Sequence, residues 1–188
     1  MALDRKLNFL IPVDTDKGEL TVRSAPVSAA FFRQNFLAIS KTFARLHGEG
    51  LGITTAPRIA AMMLENVERE LAGTPLDEPA PPSAVMNEIR RLTTVQIPDQ
   101  GLVPWAQVVT AKMLSDEDVE EVENAVVFFI VASSMYHRRD VEEMVGGAAK
   151  LWNARLEYSG TTASAPSSQT SSAAASSGAT ATPSAIPR

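Results

Sequence analysis

Ala125-Val-Val-Phe-Phe-Ile-Val-Ala132 is apolar at every position. A helix that is apolar all round must be enclosed by its neighbours. The run falls far short of the roughly 20 residues needed to cross a bilayer, so it reads as the central helix of a helical core. Ser115, with Asp118 three residues on, has the pattern of a capping box upstream of it. The acids Asp116, Glu117, Asp118, Glu120, Glu121 and Glu123 crowd the positive end of the helix dipole, and His137, Arg138 and Arg139 stand at the negative end.

The acidic cluster is also the best candidate metal site by residue type. Asp116 with Glu120, and Glu117 with Glu121, are i,i+4 pairs able to share a cation. No histidine lies among them, no second ligand set is evident, and the dipole already accounts for the acids, so a solvated face is expected and no metal. His47 and His137 are the only histidines, and no motif joins either to a nucleophilic Ser and an acid. No catalytic residue and no cofactor is assigned.

Toward the N-terminus, a helical period begins at Val27. Phe32, Phe36, Ile39, Phe43 and Leu46 recur at spacings of four and three on one stripe, with Ser24 or Ser28 as cap and Gly48 as stop. The stripe is a core face or, alternatively, a partner-binding face. The Gly48-Glu-Gly-Leu-Gly52 run lacks the spacing, lysine and preceding strand of a phosphate loop and reads as a linker. A second helix is expected over 56–72, capped by Thr54 or Thr55, with Ile59, Met63, Val67 and Leu71 as its apolar stripe. Residues 74–82 are a Pro-rich loop by composition, and a third helix follows over 83–92. Residues 94–97 are a candidate extended segment, 102–112 another short helix with Pro104 in its first turn, and 140–152 a last helix loosened at Gly146-Gly147.

Residues 6–13 and 19–23 flank Asp14-Thr-Asp-Lys-Gly18, whose glycine suits the left-handed position of a hairpin turn. The expected fold is therefore mainly α: a small helical domain with an N-terminal β-hairpin (1–25), a helical body (26–158) and a disordered tail (159–188). The tail, Ser159 to Pro187, has no charged residue and is almost wholly Ser, Ala, Thr, Gly and Pro, too poor in apolar area to offset the entropy of ordering.

A net charge of −5 and a pI near 5.1 argue against phosphate-backbone contact, so no nucleic-acid partner is expected. With no cysteine, the fold has neither disulfides nor thiolate zinc sites. Neither a signal peptide nor a membrane span fits the sequence.

Several stretches support a comparison: Leu7-Asn-Phe-Leu-Ile-Pro12, Leu92-Thr-Thr-Val-Gln-Ile-Pro98, Val119-Glu-Glu-Val-Glu-Asn-Ala-Val-Val-Phe-Phe129, Gly146-Gly-Ala-Ala-Lys-Leu-Trp152 and Ala181-Thr-Pro-Ser-Ala-Ile-Pro-Arg188. In this order the chain resembles the small tail assembly chaperones of tailed bacteriophages, encoded just ahead of the tape measure protein. The resemblance implies a protein of the host cell cytoplasm. It would coat the long, hydrophobic, helical tape measure protein and keep it soluble before tail tube subunits polymerise. It also implies a flexible C-terminal extension, with a longer form made by ribosomal frameshifting that recruits those subunits. Expected partners are thus the tape measure protein and tail tube subunits, with a homo-oligomer left open. The other reading is a minor structural or tail-completion protein of the virion. Phe32, Phe36, Phe43 and Trp152 are the candidate protein-binding residues, each with core packing as its alternative.

Overall fold

The computed structural model describes residues 2–3, 7–15, 18–48, 52–98, 100–137 and 139–147, with only the backbone of 52–54. Strand β1 (Ala2–Leu3), β2 (Phe9–Thr15), β3 (Gly18–Ser24), β4 (Thr93–Ile97) and β5 (Gly101–Pro104) form one antiparallel sheet in sequential order. The helices are α1 (Ala29–Gln34), α2 (Phe36–Gly48), α3 (Gly52–Ala72), α4 (Ala84–Leu92), α5 (Trp105–Thr110), α6 (Asp116–Met135) and α7 (139–147). This overturns the expectation of a small, mainly α domain with a single N-terminal hairpin: the fold is α+β, with a five-stranded sheet and seven helices among the described residues.

The first hairpin forms where it was expected, with Thr15 paired to Gly18 and the Thr15 hydroxyl donating to the Gly18 carbonyl at 2.7 Å. Gly18 has φ +116°, a conformation glycine adopts without a Cβ penalty. A second hairpin, β4–β5, is laid against β3 through pairs running from Thr21–Gln96 to Ser24–Thr93. Gly101, at φ +78°, lets the chain reverse, so residues 101–104 pair with β4 instead of opening the helix expected over 102–112. That helix is only Trp105–Thr110, and Pro104 precedes it with extended backbone, where its missing N–H costs nothing.

The strands bury one face. Phe9, Ile11, Val13, Leu20, Val22, Val95 and Ile97 point into the core, whereas Pro12, Asp14 and Gln96 are exposed. Against that face lies α6, whose residues from Asn124 to Ala132 are all buried. Its apolar girth is covered by β2 on one side and by α2, α3 and α4 elsewhere, so it is central but not enclosed by helices alone. The Phe9 and Phe129 rings stack at 4.5 Å and 13°, fastening helix to sheet. Both reciprocal bonds of the Ser115–Asp118 capping box are present, and three acids lie in the first turn.

The stripe expected from Val27 onward is broken at Asn35. Its backbone N–H and its side-chain Nδ2 both donate to the Phe31 carbonyl, at 3.0 and 3.1 Å, at the junction of α1 and α2. Ser28, not Ser24, caps α1. On α3 Val67 is buried as expected, but it shares the buried stripe with Ala56, Ala60 and Leu64 and not with Ile59, Met63 and Leu71. Thr54 and Thr55 are inside this helix and do not cap it. Small residues bring α3 close to α6, and there the buried Asn124 accepts from the Ala61 N–H at 2.9 Å and donates to the Glu120 carbonyl at 3.0 Å. The Lys41 hydrogen bond and charge, with the Arg45 charge, hold the Glu70 carboxyl below its ordinary value and tie α2 to α3 at the surface.

Glu68, half-buried on α3, lies near Ser83 and Val85 at the start of α4. Burial raises its carboxyl above the usual value, outweighing the polar influence of those neighbours. The native state therefore holds this proton more tightly than the unfolded chain. The associated stability is full below pH 4.5 and is lost as pH rises through the native value. Glu68→Gln should gain stability relative to the wild type on going from pH 4 to pH 7 in urea unfolding. A difference that does not change with pH would refute this account.

A candidate binding cleft at the end of helix α6

Helix α2 places Phe43 and His47 one turn apart, so their rings meet on one face, stacked at 4.1 Å and 26°. His47 Nδ1 lies 3.0 Å from the Phe43 carbonyl. A carbonyl can only accept, so Nδ1 carries the proton and a neutral His47 keeps Nε2 as its acceptor. The last turn of α6 brings Tyr136 edge-on to Phe43 at 5.2 Å and 76°, and to His47 at 6.0 Å and 68°. Phe128, two turns back along α6, lies parallel to His47 at 6.3 Å.

Tyr136 ends α6 with extended backbone, and the chain turns at once into α7. Val141 and Val145, four apart, bury one face of α7 in the core. The neighbouring face, Asp140, Glu143 and Met144, borders a cleft of about 400 Å³. Leu46, His47, Ala56, Phe128 and Tyr136 complete its lining. The walls are aromatic and aliphatic, and the rim is acidic. Neither Asp140 nor Glu143 makes an ion pair among the described residues.

The structure separates the expected binding residues. Phe43 packs against His47 and Tyr136, two of the residues that line this cleft, but does not itself line it. Phe32 and Phe36 pair edge-to-face at 5.7 Å and 86°, and Phe36, 47 % exposed beside Leu37 at 60 %, opens to solvent just past the break at Asn35. Trp152, the later part of the expected last helix and the 159–188 tail lie outside the described residues. His47, Phe128 and Tyr136 were not singled out as binding residues, although the i,i+4 spacing of Phe43 and His47 was visible. A second cleft, about 610 Å³, is bordered by Asp14, Thr15, Lys112, Leu114 and Asp118. It is more polar, and its Asp118 carboxylate is committed to the cap.

Among the described residues no cluster of three or more His, Asp or Glu is placed to hold a metal ion, and no helix is long and apolar enough to cross a membrane. No protein-family model, curated protein or solved structure matches the chain.

Proposed function

We propose that the protein is a tail assembly chaperone of a tailed bacteriophage, which binds the tape measure protein in the host cytoplasm and keeps it soluble until tube subunits displace it. The order of the stretches quoted above supports the phage reading. The observation that carries a binding role is the cleft whose aromatic lining is His47, Phe128 and Tyr136, with Phe43 packed against His47 and Tyr136, open at the surface of a folded body. Exposed Phe36, Leu37 and Met62 add apolar surface of the kind that covers an amphipathic partner helix.

Co-expression with the neighbouring tape measure protein tests the reading. The expected result is a soluble complex recovered by affinity pull-down, a loss of tape measure solubility when this chain is omitted, and absence of the chain from finished particles. No complex and no solubility gain, with the chain retained in purified particles, would favour a minor structural or tail-completion protein instead.

A further inference from the structure

The lining of the α2–α6–α7 cleft specifies more than an apolar partner. Leu46, Ala56 and Met144 supply a surface that wets poorly, so whatever enters must bring carbon. Tyr136, 38 % exposed where it borders the cleft, brings a ring whose faces carry the negative pole of an aromatic quadrupole, which attracts cations. Asp140 and Glu143 add two carboxylates that make no ion pair among the described residues. A ligand with its own carboxylate is repelled, and a purely aliphatic one leaves both rim charges facing it unpaired. The complement is a cation on an apolar stem. Arginine and lysine side chains have that form.

Apolar surface continues beyond the cleft along the last turn of α6 through the exposed Met135 and Tyr136. A free small cation would leave that surface wet, whereas a helix can cover it with residues at i, i+3 and i+4 from its basic anchor. A cleft of about 400 Å³ is near the small end of ligand sites, room for a few side chains and not for a whole helix. We propose that this cleft is a docking site for a basic amphipathic helix of the partner, seating an arginine or lysine between Tyr136 and the carboxylates of Asp140 and Glu143, with flanking leucine-type residues on the apolar wall. The proposal rests on the reading of the protein as a binder of apolar helices, and it names the chemistry that the partner's segment must carry.

The test uses the full chain and a fluorescein-labelled synthetic helix of about five turns, leucine along one stripe and flanked there by two arginines. A second peptide has glutamine in place of both arginines. Fluorescence anisotropy should show the arginine peptide binding about tenfold more tightly than the glutamine peptide. On the Asp140→Asn/Glu143→Gln double variant, whose altered side chains are exposed and whose fold is checked by circular dichroism, that preference should fall to about twofold or less. Raising salt from about 50 to 500 mM should weaken only the arginine peptide. No binding of the arginine peptide, equal binding of the two, or an unchanged preference in the double variant would overturn the proposal. So would a wild-type dimer in sedimentation that the double variant abolishes, because the occupant would then be a second copy. Because the probe is synthetic, this outcome is independent of co-expression. A tape measure protein that binds wild type and double variant alike sinks the cleft and leaves the chaperone reading in place. Peptide discrimination without a tape measure complex does the reverse.

Discussion

Phe129→Ala is expected to lower the unfolding free energy by about 3–5 kcal/mol, the largest loss of any single substitution considered. The ring is fully buried on α6 and stacks on Phe9 of β2, so its removal strips apolar contact from both layers at their junction. Burial of a phenylalanine contributes about 1.5–3 kcal/mol, and the cavity left behind adds to that because a helix held by α2, α3 and β2 cannot collapse into it. For a domain of this size the melting temperature should fall by roughly 10 °C. Phe129→Leu, which keeps much of the volume, should cost well under half as much. Urea unfolding of both variants checks this, and a Phe129→Ala loss near 1 kcal/mol, about the average for any mutation, would mean that the Phe9–Phe129 stack is not what joins the layers.

Substitution at Phe36 gives the contrast. Spacing alone puts Phe36 and Phe43 on one stripe, yet Phe36 is exposed and Phe43 is packed against the core. The difference comes from Asn35, whose side chain competes for the Phe31 carbonyl and interrupts the helix. A period of 3.6 cannot register an interruption made by one hydrogen bond. The α3 stripe failed for a related reason. Alanines at 56 and 60 are weak hydrophobic markers in sequence, yet they are fully buried, whereas the larger Ile59 and Met63 are only partly so.

The legible parts of the fold are those whose causes are local. The β2–β3 hairpin follows from its turn, and α6 from its capping box and apolar run. The second hairpin was half visible: residues 94–97 read as extended, whereas 101–104 did not. A strand of four residues offers too little alternation to compete with the apolar spacing of Leu102, Trp105, Ala106 and Val109, at i, i+3, i+4 and i+7, which suits a helix. What decides the matter is pairing with β3 between residues as far apart as Ser24 and Thr93, and that is invisible to any local pattern. The same holds for the cleft. Phe43 and His47 are neighbours by helical spacing, but Tyr136, Asp140 and Glu143 reach them only because the chain turns sharply after α6.

Glu123→Ala should cost about 2–3 kcal/mol, although most of the acids around it are solvated. The Glu123 side chain is 13 % exposed and receives three hydrogen bonds: Trp105 Nε1 at 3.0 Å and Arg90 Nε at 2.8 Å on one oxygen, and Arg90 Nη2 at 2.8 Å on the other. These join α4 and α5 to α6. Removing the carboxylate affects its two partners unequally. Arg90, about half exposed, can turn to water, so its share is about 0–1 kcal/mol. Trp105 is 1 % exposed, and its indole N–H would be left without an acceptor at a cost of about 1–3 kcal/mol. Among the described residues no buried side-chain polar atom lacks a partner in the native protein, so this would be a new defect. The expected order of losses is therefore Glu123→Ala, then Glu123→Gln, which keeps an acceptor for the indole, then Arg90→Ala. Equilibrium unfolding of the three variants reads that order directly. If Arg90→Ala costs as much as Glu123→Ala, the ion pair that ties α4 to α6 outweighs the buried indole bond that ties α5 to it, and the ranking of the two contacts is reversed.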